Sequence, residues 1–137
     1  NYRMSTAKVT YLGNLRTECE HLKSGATFIT DAPLDNNGKG EAFSPTDTVA
    51  TGLASCMITM MGIKAASLNI SLEGTTAQVN KTMDVDPRRI SRIDVEINVP
   101  TKISEKFQKI LKNTANTCPV LYSLHPDIEK RIVFHWG

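Results

Sequence analysis

The sequence predicts an α+β fold in which mostly antiparallel sheets surround one long central helix. Two observations lead to that prediction. Residues 44–70 form the longest apolar-rich stretch and contain no helix-breaking Gly–Pro signal before Asn69, while segments of alternating polar and apolar residues lie on both sides of it. The chain has 137 residues, of which 40% are hydrophobic, and no repeat or linker interrupts it. We therefore expect a single domain over residues 1–137.

The start of the central helix is specified by three residues. Ser44 is a good N-cap, Pro45 suits the first helical position, and Asp47 completes a capping-box pattern. A helix over residues 45–68 is roughly 35 Å long at 1.5 Å per residue, which is enough to cross a small domain. Because polar residues are sparse near Cys56, we expect the helix to be exposed to water on almost no side.

The segments before the helix predict an antiparallel meander. Residues 7–12, 15–22 and 26–30 are strand candidates, and Gly13 followed by Asn14 is a hairpin signal between the first two. Residues 31–41 are rich in Gly, Pro, Asn and acidic residues, so they predict a loop that leads into the central helix.

The segments after the helix predict further strands and two more helices. Strands are expected at 70–72, 76–83, 90–99 and 131–136, an amphipathic helix at 103–117, and a short helix from Cys118-Pro119 to about His125. One sheet and two short helices cannot cover every side of the central helix. We therefore infer an intimate dimer.

Charge and composition exclude several classes of function. A net charge of +2 favours neither nucleic acid nor a strongly acidic partner, and the Arg88-Arg89 patch lies beside acidic residues. Thr, Ser and Lys64 interrupt the apolar stretch too often for a membrane span. Three cysteines without a visible secretory signal indicate the cytoplasm. Met4 is a plausible natural start behind vector-derived residues 1–3.

Two of the three cysteines lie in contrasting local settings. Cys118 precedes Pro119 at a helix start, where unpaired N–H groups and the helix dipole should lower its thiol pKa. Cys56 lies in the middle of an apolar helix, a setting that raises a thiol pKa unless a cation or donor is nearby. Both residues can be buried hydrophobes, which composition alone favours, or a peroxide-attacking thiolate with the thiol that closes a disulfide.

Other candidate sites are weaker. Cys19 and His21 share a strand face and could bind a metal together with His125 or His135, but a structural role is favoured because no second clustered pair accompanies them. We expect no metal site. The chain also contains no glycine-rich phosphate loop and no hydrolase-type nucleophile, base and orienting group.

The two cysteine motifs together resemble one known family. The segments AFSPTDTVATGLASCMITMMGI, ANTCPVLYSLHPDI and the final IVFHW, in this order, resemble the OsmC/Ohr family. The resemblance extends over nearly the whole chain. It implies an OsmC-like fold in an intertwined homodimer and a cofactor-free thiol peroxidase. In that family the helix cysteine attacks an organic hydroperoxide, the Cys-Pro cysteine resolves the sulfenic acid, and an external dithiol reduces the disulfide. Cys56 would be the peroxidatic residue and Cys118 the resolving one.

The sequence departs from the peroxidase members near the helix start. They place a glutamate ten residues before the helix cysteine, paired with an arginine that holds the thiolate. Here that position is Thr46 and the nearest acid is Asp47, while Arg16 is the best candidate for the arginine. The first hypothesis is a peroxidase of organic hydroperoxides. The alternative is a dimeric binding or redox-sensing protein that has lost efficient turnover.

Overall fold

Residues 5–137 are described in this computed structural model, and the expectation about residues 1–3 concerns residues outside that range. The described chain contains strands and helices in the predicted order, which confirms the α+β class. The elements are β1 (Ala7–Gly13), β2 (Arg16–His21), β3 (Thr27–Asp31), a 3₁₀ turn (Leu34–Asn36), α1 (Pro45–Ser67), β4 (Thr76–Val85), β5 (Arg88–Val99), α2 (Glu105–Ala115), α3 (Pro119–Ser123) and β6 (Glu129–Trp136).

The chain divides into two compact units whose boundary lies within α1, between Thr48 and Val49. The first unit contains the antiparallel sheet β1-β2-β3, as the meander prediction required. The β1–β2 turn is centred on Asn14 and Leu15, with φ of 55° and 62°, and not on Gly13 and Asn14. Two consecutive residues with positive φ match the twist of a two-residue hairpin.

Helix α1 begins at the predicted cap, and the described chain covers one side of it. The buried residues are Ala50, Leu53, Ala54, Met57, Met61 and Ala65, whose spacing of three or four places them on one face. On other faces Val49 is 41% and Ile63 64% exposed. These side chains are exposed in the single chain, so the expectation of a helix exposed to water on almost no side stays a prediction that depends on the inferred dimer. By length and composition alone α1 is also long and apolar enough to cross a bilayer, although its buried face packs in the core of the second unit.

The second unit contains a mixed sheet in the order β4-β5-β6. Strands β4 and β5 are antiparallel, whereas β5 and β6 are parallel, so the sheets are mostly antiparallel, as predicted, with one parallel pair. The parallel pairing follows from the connection, because α2 and α3 return the chain to the edge where β5 began. Residues 70–72 were predicted as a strand and are not one. The alternation in β5 is confirmed, since Ile93, Val95, Ile97 and Val99 are buried.

In the second unit, the first residues of α2 and α3 are capped by side chains, and both helices adjoin the core. The Ser104 hydroxyl caps α2 by accepting the Phe107 N–H, and Leu111 and Ala115 are its buried residues. Cys118 is the N-cap of α3, as predicted, and Pro119 follows in the first turn. The core of this unit therefore includes Cys118 itself, with Cys56 packed against it.

Candidate active site

Cys56 lies at the border of the buried face of α1. Its neighbours on the helix, Leu53 and Met57, are fully buried, whereas Cys56 is half-buried. Because Cys56 follows Leu53 by three residues, its side chain remains beside the core face without being enclosed by it. Cys56 is therefore only partly enclosed by the core.

Cys118 is fully buried at the start of α3. Its Sγ accepts the N–H of Leu121 at 3.4 Å, in the position that an N-cap hydroxyl usually fills. The adjoining Pro119 has no N–H and fits the first turn without leaving a donor unpaired. The local sequence thus fixes both the place and the orientation of the Cys118 side chain.

Cys56 packs against the core cluster that contains Cys118, and both thiols are free. Burial raises the pKa of Cys118, and the neighbouring Cys56 raises it further. The Leu121 N–H opposes these effects. The expected lowering of the Cys118 pKa at a helix start is therefore wrong in sign. Desolvation disfavours the thiolate more than one backbone donor supports it.

Arg16 lies in a cluster of charged side chains in the first unit. Its Nη2 donates to Oδ2 of Asp31 at 3.4 Å and also to Oε1 of Glu41. Asp31 is fully buried, and its Oδ2 also accepts the Glu41 backbone N–H at 3.0 Å. The Glu41 backbone hydrogen bond and Arg16 lower the pKa of Asp31, against the effect of burial. We call Arg16, Asp31 and Glu41 the charged cluster.

The sequence analysis missed Asp31 and Glu41 as partners of Arg16. Both are terminal residues of the predicted loop of residues 31–41. The available signal was the acidic residue at each end of that loop. A loop that starts and ends beside the strand carrying an unpaired arginine can bring two carboxylates to it.

Thr46 and Asp47, the other residues assigned to thiolate support, belong to the cap of α1. Oδ2 of Asp47 accepts the Ser44 N–H at 2.9 Å, and the Ser44 hydroxyl accepts the Asp47 N–H at 3.0 Å. This reciprocal pair is the predicted capping box. The Thr46 hydroxyl is 3.2 Å from the Ser44 hydroxyl.

The remaining cysteine and histidines have separate local partners. Cys19 lies 3.8 Å from the Thr17 hydroxyl, and His21 Nδ1 is 2.6 Å from the Ser24 hydroxyl. His125 accepts the Asp127 backbone N–H, and His135 pairs with Glu96 in the second sheet. Across residues 5–137, no three Cys, His, Asp or Glu side chains lie together as metal ligands would.

A cavity of 520 Å³ lies on the polar face of the second sheet and includes neither cysteine. It is lined by Gln78, Val79, Asn80, Asp94, Val95, Glu96, Arg131 and Val133. Cys56 and Cys118 therefore lie outside this cavity. A half-buried thiol packed against the core that contains a buried one can form and break a disulfide with it, and this is the chemistry that Cys56 and Cys118 offer.

The chain is similar to proteins of one known family. The family described as OsmC-like protein matches residues 38–132. A protein of known structure from Psychrobacter arcticus, provisionally named an osmotic stress induced and detoxification response protein, shares 54% identity over 98% of each chain, with a TM-score of 0.95. No curated protein matches the chain at a significant level.

Two more distant structures share the fold. An organic hydroperoxide resistance protein OsmC from Legionella pneumophila has a TM-score of 0.75 at 17% identity, with 98% of each chain covered. The organic hydroperoxide resistance protein OhrB of Bacillus subtilis has a TM-score of 0.66 at 20% identity, covering 95% of this chain and 98% of its own.

Proposed function

Because this chain belongs to the OsmC/Ohr family, we propose that it is a cysteine-based peroxidase that reduces organic hydroperoxides. Cys56 is the peroxidatic residue and Cys118 the resolving one. The packing of Cys56 against the buried cluster that contains Cys118 carries the proposal, because a sulfenic acid on Cys56 would form near the thiol that must condense with it.

The reaction has three steps. The Cys56 thiolate attacks the outer oxygen of the hydroperoxide, forms a sulfenic acid and releases an alcohol after proton uptake. Cys118 then attacks the sulfenic sulfur, forms the disulfide and releases water. An external dithiol exchanges with this disulfide, becomes oxidised itself and returns both thiols to the chain. No further cofactor takes part in this cycle.

The surroundings of Cys56 favour organic hydroperoxides over hydrogen peroxide. Met57 is fully buried beside it, and Met60 packs against the same core one turn further along α1. Such side chains can bury an alkyl or aryl substituent, whereas hydrogen peroxide has none to bury. The names of the Legionella and Bacillus structures point to the same substrate class for those proteins.

Arg16, Thr46 and Asp47 are proposed to support the Cys56 thiolate, on the strength of the family resemblance. Arg16 is the cation of this group, and its two carboxylate contacts use Nη2 only. A guanidinium has further donors on Nε and Nη1, and these can serve another acceptor. Thr46 occupies the position of the family's glutamate and cannot form an ion pair. Its contribution is therefore confined to the start of α1.

We also propose a cytoplasmic homodimer. Exposed apolar residues remain on α1 and on the first sheet, where Val9, Tyr11 and Phe28 are each at least half exposed. Such groups are stabilised when a second surface covers them. Analytical ultracentrifugation across a range of protein concentrations tests this part of the proposal, which a monomer at micromolar concentration would contradict.

The peroxidase is tested by the rate at which reduced protein consumes cumene hydroperoxide at pH 7. A free cysteine is only a few per cent thiolate at that pH, so the reduced protein should react at least about thirtyfold faster than free cysteine if it is a peroxidase. Cys56→Ser should abolish the reaction. Cys118→Ser should stop after one turnover, and Cys19→Ser should keep the full rate. The oxidised protein should contain a Cys56–Cys118 disulfide.

One observation favours a second function, a binding or redox-sensing protein without efficient turnover. Thr46 replaces the acid that the peroxidase members use, and Arg16 is already paired with Asp31 and Glu41. A reaction no faster than that of free cysteine, combined with reversible formation of the disulfide, would select this alternative.

A further inference from the structure

Two glycines lie in the interior of helix α1, where glycine is an unfavourable residue. Gly52 and Gly62 are both inside Pro45–Ser67. Glycine destabilises a helix interior relative to alanine because it loses more backbone freedom on folding. Apart from chain neighbours and the adjoining helix backbone, no atom of residues 5–137 lies within 4 Å of where a Cβ would stand at either position. Crowding within the described chain therefore explains neither glycine.

Gly52 differs from Gly62 in its position relative to Cys56. Gly52 precedes Cys56 by four residues, so the two lie on one helix face, one turn apart. Gly62 follows Cys56 by six residues, which places it about 120° away around the helix axis. The two glycines therefore share a helix and an open Cβ position, but only Gly52 adjoins the thiol.

The direction of the Cys56 side chain gives Gly52 its importance. In an α-helix a side chain leans towards the N-terminus, over the residues three and four positions earlier. For Cys56 these residues are Leu53, which is fully buried in the core, and Gly52, which is half-buried. Leu53 closes one side of the thiol. The other side is open because residue 52 has no side chain.

We propose that Gly52 is the specificity-determining residue for the hydroperoxide that reacts at Cys56. The space over the Gly52 Cα takes the alkyl or aryl substituent while the peroxide group meets the thiol. Hydrogen peroxide has no substituent and makes no use of this space. This inference rests on the peroxidase function proposed above, and it assigns the choice of substrate to a residue that offers no functional group.

The neighbouring side chains on this face of α1 suit an uncharged substituent. Met60 follows Cys56 by four residues and packs against the core, and Val49 precedes Cys56 by seven residues and is 41% exposed. Both positions lie within about 40° of Cys56 around the helix axis. An alkyl or aryl group over Gly52 is therefore next to apolar side chains of α1, which can remove it from water.

The test fills the space over Gly52 and compares two peroxides. The measured quantity is the single-turnover rate of Cys56 oxidation in the reduced, full-length chain, with cumene hydroperoxide and with hydrogen peroxide. Wild type, Gly52→Ala and Gly52→Val are compared. Gly62→Ala is the matched control, because it adds the same methyl group to the same helix away from Cys56. Thermal unfolding and analytical ultracentrifugation are recorded for every variant.

We expect Gly52→Ala to slow the reaction with cumene hydroperoxide by about tenfold or more and to leave the hydrogen peroxide rate within about twofold of wild type. Gly52→Val should slow cumene hydroperoxide further, since it occupies more of the space. Gly62→Ala should leave both rates unchanged. Both alanine variants should raise the Tm by about 4 °C, because alanine is the better helix former. Damage to the fold cannot produce a variant that is more stable and slower with one substrate only.

Three results would overturn the inference. If Gly52→Ala keeps the wild-type rate with cumene hydroperoxide, or slows both peroxides by the same factor, Gly52 does not select the substrate. If Gly52→Ala sediments as a monomer while wild type and Gly62→Ala are dimers, the space belongs to a second copy of the chain. The peroxidase function survives all three, provided that wild type is fast. If wild type reacts with cumene hydroperoxide no faster than free cysteine, the proposed function and this inference fail together.

Discussion

Asp31 and Cys118 are both fully buried, and yet their pKa values are shifted in opposite directions. Asp31 accepts the Glu41 N–H and the Arg16 guanidinium on one oxygen, and these donors favour its charged form. Cys118 receives a single backbone N–H and has a second thiol beside it. The partners of a buried acid therefore decide the direction of its pKa shift, and burial alone does not.

This contrast separates two tasks. The charged cluster keeps a cation in place by surrounding it with carboxylates, while burial of Cys118 favours its protonated thiol. A substitution in one region therefore tests that task alone.

The apolar shell of the thiol pair should be the most sensitive to substitution. Leu53→Ala removes a fully buried side chain from α1 one turn before Cys56 and should lower the free energy of unfolding by about 3 kcal/mol. Val49→Ala is the control, because Val49 is 41% exposed on the same helix and should cost about 0.5 kcal/mol or less. Urea unfolding of the reduced proteins gives both values. Equal losses would show that Leu53 is not part of a tightly packed core.

A substitution in the charged cluster should change the rate of Cys56 oxidation more than it changes the stability of the fold. If Arg16 supports the Cys56 thiolate, Arg16→Met should reduce the oxidation rate of Cys56 at pH 7 by about tenfold. Arg16→Lys should recover only part of the rate because lysine lacks the guanidinium fork.

Arg92→Met is the matched control for Arg16→Met. Arg92 has the same 35% side-chain exposure and also pairs with an aspartate, Asp94, but lies in the second sheet. Arg92→Met should leave the oxidation rate of Cys56 unchanged. If Arg16→Met and Arg92→Met give the same rate, Arg16 does not support the Cys56 thiolate, and the charged cluster contributes to stability only.

The sequence predicted the parts of this molecule that depend on local patterns. The capping box of Ser44 and Asp47, the alternation in β5 and the cap at Cys118 were all recovered, because each is set by residues within a few positions of one another. The OsmC/Ohr resemblance, which spans both cysteine motifs, also identified the family correctly.

Features that depend on distant contacts were missed. The parallel pairing of β5 with β6 follows from a crossover of about thirty residues, which no local pattern records. The partners of Arg16 lie 15 and 25 residues away along the chain. The Cys118 pKa was predicted from its helix start alone. Its burial, which reverses the shift, is a property of the folded core.

A smaller effect is expected at the cap that follows the charged cluster. Ser44→Ala removes the acceptor of the Asp47 N–H and should cost about 1 kcal/mol of folding free energy. Ser104→Ala, at the cap of α2, tests the same type of contact in the second unit, where the Phe107 N–H bond is longer at 3.3 Å. Ser44→Ala should therefore lower the free energy of unfolding by at least as much as Ser104→Ala does. The reverse order would mean that the capping box contributes little to α1.

The contrast between Asp31 and Cys118 also predicts how stability changes with pH. The pKa of Asp31 is lowered on folding, so its contribution is complete above its ordinary value of 3.8 and is lost as pH falls below that value. The pKa of Cys118 is raised, so its contribution is complete below its ordinary value of 9.0 and is lost as pH rises above that value. Between these limits neither group changes the free energy of unfolding.

Two single variants separate the acid and alkaline limbs of this profile. Asp31→Asn should reduce the loss of stability below pH 3.8 and leave the alkaline range unchanged. Cys118→Ala should reduce the loss of stability above pH 9.0 and leave the acid range unchanged. Urea midpoints measured under reducing conditions across both ranges provide the test. If one substitution reduces the loss of stability in both pH ranges, the pKa shifts of Asp31 and Cys118 are not independent. If each substitution affects only its own range, the low pKa of Asp31 and the high pKa of Cys118 arise from separate local contacts.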